Sequence, residues 1–141
     1  MRAIIIYGPP ASGKSTLAKS YVELGFVEIN RDAIRFSDID PGGDWTTYKF
    51  SKANENRVTK LWYQKLDECA FNMQDVIISD TLCNKGKRKN VVDYLTELGY
   101  TVKQFRLDVP LETILERNRN RGNFMVDEKI VKRMHKEFID E

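Results

Sequence analysis

Gly8-Pro9-Pro10-Ala11-Ser12-Gly13-Lys14-Ser15 has the G-x-x-x-x-G-K-S pattern of a phosphate-binding loop. Its flanks carry as much weight as its letters. Ahead of it, Ala3-Ile4-Ile5-Ile6-Tyr7 is a short apolar, β-branched run that reads as a buried strand. Behind it, Ser15 to Leu24 reads as a helix with Leu17, Tyr21 and Leu24 on one face and Gly25 as the stop. Strand, glycine loop and helix are the context this motif needs. In such a loop backbone N–H groups close around phosphate oxygens and the helix N-terminus adds a favourable field. Lys14 is placed to reach β- and γ-phosphates and the Ser15 hydroxyl to ligate Mg²⁺. The candidate triphosphate-binding residues are therefore Gly8, Ala11, Ser12, Gly13, Lys14, Ser15 and Thr16.

Length and composition narrow the classes. A chain of 141 residues suits one domain, here residues 1–141, and leaves no room for the insertions of a motor or helicase. With 23 Lys plus Arg against 21 Asp plus Glu, bulk charge argues for no partner. Cys69 and Cys83 are too few for a disulfide framework and too far apart for a metal hook, so they read as reduced thiols. No apolar run approaches the ~20 residues that span a bilayer. The expectation is a soluble cytoplasmic protein, and a homo-oligomer is compatible with the composition.

The rest of the chain alternates between strand and helix signals. Strands are expected at Phe26–Ile29, Val76–Ser79 and Val102–Leu107. Helices are expected from Thr46 to about Phe71, across Val91 to Leu98 after a loop running through Gly86, from Pro110 through Arg121, and from Asp127 to Phe138. This predicts an α/β fold of the P-loop NTPase and kinase type. Its central parallel sheet would have about four to five strands, with helices on both faces. Ligands of such sheets sit beyond the carboxyl ends of the strands.

Three of those ends carry chemistry. Beyond the phosphate loop, Ile29-Asn30-Arg31-Asp32-Ala33-Ile34-Arg35 places a carboxylate at a strand end with an arginine one helical turn on. Asp32 suits acceptance of a proton from an attacking hydroxyl and Arg35 suits an anionic neighbour, while Asp is also a common cap of short helices. Ile78-Ser79-Asp80-Thr81 ends another strand with an acid, the place of the Mg²⁺-supporting carboxylate in phosphate-loop enzymes, and again a cap is the simpler role. Arg117 and Arg121, four apart, share a helix face that suits triphosphate charge; Arg119 points elsewhere. Broken by Gly122-Asn123, that helix suits a mobile lid, though Arg-rich faces are often merely solvated. Asn84-Lys85-Gly86-Lys87 lacks the Asp of a guanine-reading N-K-x-D. Asp38-Ile39-Asp40 lacks the strand of a phosphatase motif.

Taken together, these segments resemble the kinase domain of the phage polynucleotide kinase family, the 5′-hydroxyl kinases that heal nucleic acid ends. The resemblance covers Gly8 to Thr16, Ile29-Asn30-Arg31-Asp32 with Arg35, Val76 to Thr81, Asp108-Val109-Pro110, and Arg117-Asn118 through Arg121-Gly122. It implies that Lys14 and Ser15 serve ATP and Mg²⁺, Asp32 is the general base, Arg35 grips the 3′-phosphate of the terminal nucleotide, and Asp80 supports the site. Arg121 would stabilise the transferring phosphate and Arg117 would lie near the nucleotide. The implied acceptor is a DNA or RNA 5′-hydroxyl end, in the cytoplasm of a phage-infected host. The family's phosphatase domain has no counterpart in these residues, and the pattern diverges at Leu82-Cys83 and at Pro41 to Asp44. The same loop, base and lid would also serve a phage kinase of hydroxymethylated bases in DNA, or a nucleoside or small-molecule kinase. A nucleotide-gated binding module would share the loop but has no need of Asp32. The Lys85-Gly86-Lys87-Arg88-Lys89 run suits a phosphate backbone or a solvated loop equally.

Overall fold

Arg2–Tyr7 forms the first strand, β1, and all of it but Arg2 is buried in the computed structural model, which describes residues 1–141. The chain continues through α1 (Lys14–Glu23), β2 (Val27–Ile29), α2 (Arg31–Ile34), α3 (Lys52–Phe71), β3 (Val76–Ile78), α4 (Lys85–Glu97), β4 (Thr101–Arg106), α5 (Leu111–Arg119) and α6 (Glu128–Ile139). A π-helical turn, Arg35–Ile39, extends α2, and a 3₁₀ turn, Gly122–Phe124, separates α5 from α6. The four strands are all parallel, in the order β2-β3-β1-β4. Ala3 pairs with Val76 on one side and Val102 on the other, so β1 lies inside the sheet with its carboxyl end between two neighbours. That end is where the strand order reverses, and a crevice opens there.

The alternation of side chains along β1 divides the core in two. Ala3, Ile5 and Tyr7 face one layer, with Val58, Trp62 and Leu66 of α3, Val91 and Leu95 of α4 and Phe138 of α6. Ile4 and Ile6 face a thinner layer built from Ala18 of α1 with Phe26 and Ile77, and Tyr21 packs against it. The edge strand β4 is largely exposed and carries Lys103 and Gln104, charged and polar residues that discourage edge-to-edge pairing.

Three expected boundaries moved. The long helix begins at Lys52, not Thr46, because Ser51 accepts a hydrogen bond from the Asn54 N–H as its N-cap and Trp45 to Phe50 are drawn into an aromatic cluster instead. The fourth helix begins at Lys85, ahead of Gly86, because the Asn84 side chain accepts from the Lys87 N–H. The Pro110 helix ends at Arg119, with Arg121 in the following turn. The basic run therefore lies on a helix. Within it Arg88 is buried against Tyr7 and Glu141, and Lys89 pairs with Asp93.

Leu66 is fully buried on the inner face of α3. Leu66→Ala should lower the unfolding free energy by about 2–5 kcal/mol, read from the denaturant midpoint, because the cavity collapses only in part.

Candidate active site

The loop after β1 has the geometry its sequence requires. Ala11 and Gly13 both have positive φ, 63° and 100°, and the alternation turns successive N–H groups toward one side. The first turn of α1 has no acidic residue and no side-chain cap, which leaves its amides open to an anion. Gly8 serves differently. Its N–H donates to the Thr81 carbonyl (3.0 Å), and a Cβ there would stand 2.9 Å from Ser12 Oγ and 3.2 Å from the Leu107 carbonyl, so a side chain would press on both beneath the loop. Lys14 is buried, and its Nζ donates to the carbonyls of Gly8 (2.9 Å) and Pro9 (2.8 Å). Burial lowers its pKa to about 8, with Arg121 adding repulsion against the attraction of Asp80 and Asp32.

The acceptor side is built on the end of β2. Asn30 caps α2 by accepting from the Ala33 N–H (2.9 Å), and its amide donates to the Ser79 carbonyl, tying the ends of β2 and β3 together. Asn30 thus takes the capping role, and the Asp32 side chain, nearly half exposed, accepts from Arg35 Nη1. Arg35 is held from the other side by Glu55 of α3, which accepts from Nε (3.0 Å) and Nη2 (2.7 Å). Glu55 also accepts from Tyr48 Oη (2.7 Å) and Arg31 Nη2 (3.3 Å). Burial pushes the Glu55 carboxyl up, but these donors and the Arg35 charge outweigh it and hold the pKa at about 2. Of the five guanidinium N–H groups of Arg35, two on Nη1 and Nη2 stay unused for a third partner. Sequence reading missed Glu55. Its arginine partners lie 20 and 24 positions away, and on a helix surface it resembles any solvated glutamate.

Asp80 follows β3 and is buried, and its role is more than a cap. It accepts from the Arg31 N–H (2.7 Å) and from Trp62 Nε1 (2.9 Å), joining β3, α2 and α3 at one carboxylate. Burial raises its pKa against those two donors. Each oxygen keeps a lone pair free. With the exposed Ser15 hydroxyl, this is a set of hard oxygen donors of the kind Mg²⁺ takes, completed by substrate phosphates and water.

Arg117 lies over the loop, its Nη1 4.0 Å from where a Cβ on Gly13 would stand. Arg121 borders the same cleft from the turn beyond α5, while Arg119 faces away and pairs with Glu128 (2.6 Å). That turn is pinned. The buried Asn118 side chain donates to the Val126 carbonyl (2.7 Å) and accepts its N–H (2.9 Å), and the Trp45 N–H donates to the Asn123 carbonyl (3.2 Å). One cleft of about 1870 Å³ brings together Ala11 to Thr16, Asp32, Arg35, Asp80, Arg117 and Arg121; Gly8 lies beneath it. A loop for phosphates, a carboxylate facing it and arginines above can hold a polyphosphate and deprotonate a nearby nucleophile.

Lys14 must be charged to hold phosphate, and its free value of 10.5 is lowered to about 8 in the fold. Nucleotide affinity should therefore change little between about pH 7 and pH 8, where Lys14 is charged and the terminal phosphate is already fully ionised. Above about pH 8, affinity should fall up to tenfold per pH unit. Lys14→Ala should bind weakly and lose this dependence, both read by titration with a fluorescent nucleotide.

Known proteins resemble this chain over nearly its whole length. A bifunctional polynucleotide kinase/RNA ligase of Autographa californica nuclear polyhedrosis virus is 30% identical over 145 residues, covering 96% of this chain and 20% of its own length. An L-seryl-tRNA(Sec) kinase of Methanococcus maripaludis is 27% identical over 141 residues, covering 96% of this chain and 51% of its own. The chain thus spans about half or less of the curated relatives it matches. Among solved structures, the Pnkp1/Rnl/Hen1 RNA repair complex contains a chain that superposes with a TM-score of 0.83 at 23% identity, covering 99% of this chain and 44% of that one, a likeness of fold. The resemblance read from the sequence thus extends along nearly the whole chain. The model of a family described as an AAA domain, AAA_33, matches residues 4–139, and the chain belongs to that family.

Proposed function

We propose that this chain is an ATP-dependent kinase that transfers a γ-phosphate to the 5′-hydroxyl of a nucleic acid end, with Mg²⁺ as cofactor. The observation that carries the reading is the placement of Asp32 and Arg35, locked together, in the same cleft as Lys14 and Arg121. A nucleotide switch has no use for a carboxylate there. The relative named as a polynucleotide kinase/RNA ligase supports the acceptor class. No helix is long and apolar enough to cross a membrane.

The residues divide the reaction. Loop amides and Lys14 hold the β- and γ-phosphates, and Arg121, with Arg117 beside it, neutralises charge on the moving phosphoryl group. Mg²⁺, held by Ser15 and supported by Asp80, would screen the same charge. Asp32 orients the acceptor hydroxyl and takes its proton as the new oxygen–phosphorus bond forms and the bridge to the β-phosphate breaks. Arg35, fixed by Glu55, offers its two unused N–H groups to the phosphate that follows the terminal nucleoside.

The direct test is transfer of labelled γ-phosphate to 5′-hydroxyl oligonucleotides, free nucleosides and hydroxymethylated duplex DNA. Labelling of the first class is expected, and labelling confined to either other class overturns the assignment. Asp32→Asn keeps the side-chain shape and an oxygen for Arg35 but loses the proton acceptor. Its kcat should fall by roughly 10²-fold or more with ATP affinity unchanged. Equal turnover would remove Asp32 from the mechanism.

A further inference from the structure

The cleft has a second chemistry beside its charges. Phe36 of the π turn, Trp45 and Phe50 of the segment before α3, and Phe124 of the 3₁₀ turn all line it. The rings form one edge-to-face cluster with buried Tyr48. Phe36 lies 5.1 Å from Trp45 and 5.4 Å from Phe124, and Tyr48 lies 6.4 Å from Phe50, between centroids. Yet Phe50 is 70% exposed and Phe124 43% exposed, apolar area left open inside a phosphate-binding cleft. A small hydrophobic core would bury these rings.

The wall adjoins the acceptor residues. The Arg35 guanidinium lies 5.3 Å from the centre of the Trp45 ring, and the same guanidinium holds Asp32. One arginine therefore stands between a carboxylate suited to a hydroxyl and an aromatic surface suited to a flat, π-rich group, with two N–H groups left for an anion. A nucleoside 3′-phosphate has these three parts. Building on the kinase reading above, we propose that Phe50, Trp45 and Phe124 form the subsite for the acceptor's terminal nucleobase, which stacks on the exposed ring faces. Stacking tolerates any base, because every base has a π face. Such a site selects for nucleotides over sugars without reading sequence. The acceptor's base is the favoured occupant because Trp45 lies on the Arg35 guanidinium that holds Asp32, and binding of the donor's base instead is an outcome of the test.

The probe is a dinucleotide with a free 5′-hydroxyl and a 5′-terminal 2-aminopurine, compared with the same molecule lacking that base. Wild-type protein should quench the 2-aminopurine, and the abasic molecule should compete about 5- to 150-fold less well. Phe50→Ala, at an exposed position, should lose a comparable factor for the probe, leave the abasic competitor and ATP affinity unchanged, and be rescued by Phe50→Tyr. Phe124→Ala should act in the same direction. No quenching, equal binding of the abasic molecule, or a Phe50→Ala defect that falls on ATP instead would each overturn the subsite. Parallel transfer of γ-phosphate to the probe separates the two readings. Transfer without base preference removes the subsite and leaves the kinase, whereas base-dependent binding without transfer removes the kinase and leaves the subsite.

Discussion

The acceptor half of the cleft is organised around the Glu55 carboxylate. Four hydrogen bonds converge on it from Arg31, Arg35 and Tyr48, so α2, its π-turn extension and the segment before α3 are all referred to one point on α3. A partly buried carboxylate is tolerable only when it is so completely paired, and removing one partner leaves the others uncompensated. Because Glu55 occupies the Nε and Nη2 edge of Arg35, the guanidinium cannot rotate away from the cleft. The charge that matters is fixed in direction before any substrate arrives.

The donor half is organised differently. Lys14 satisfies itself on the carbonyls of its own loop, bonds that phosphate oxygens would replace. Asp80 joins the two halves, since it follows the strand beside the phosphate loop and accepts the first amide of α2 and the indole of α3. Donor and acceptor residues thus share a rigid frame of strand ends, and the arginine-bearing turn is fastened to it through Asn118 and Trp45.

What could be read in advance was what neighbours in sequence decide. The phosphate-loop pattern, the apolar strands and the one-turn spacing that pairs Asp32 with Arg35 are contiguous patterns that need no distant partner to be seen. The misreadings occurred where the deciding partner is distant or the signal is a single cap. Thr46 to Phe50 has no helix breaker, yet Tyr48 within it packs on Phe36 and Trp45, and Ser51 alone marks the true start of α3. Gly86 looked like loop until Asn84 capped the turn containing it. Glu55 gave no signal and Trp62 read only as part of the apolar stripe of its helix, because each acquires its role only when the tertiary fold brings Arg35 or Asp80 to it.

The strand order also governs how the chain is made. No strand finds its partner nearby: the closest paired positions, Val27 and Val76, are separated by 49 residues, and β1 is flanked only by β3 and β4. On a ribosome adding about 5–20 residues per second, the segment bearing the phosphate loop therefore waits several seconds for the strand that shields it. During that interval Ile4, Ile5 and Ile6 are an unpaired apolar edge, the kind of surface chaperones occupy. A sheet that gathers its ligand residues from distant segments thus commits the nascent chain to late closure.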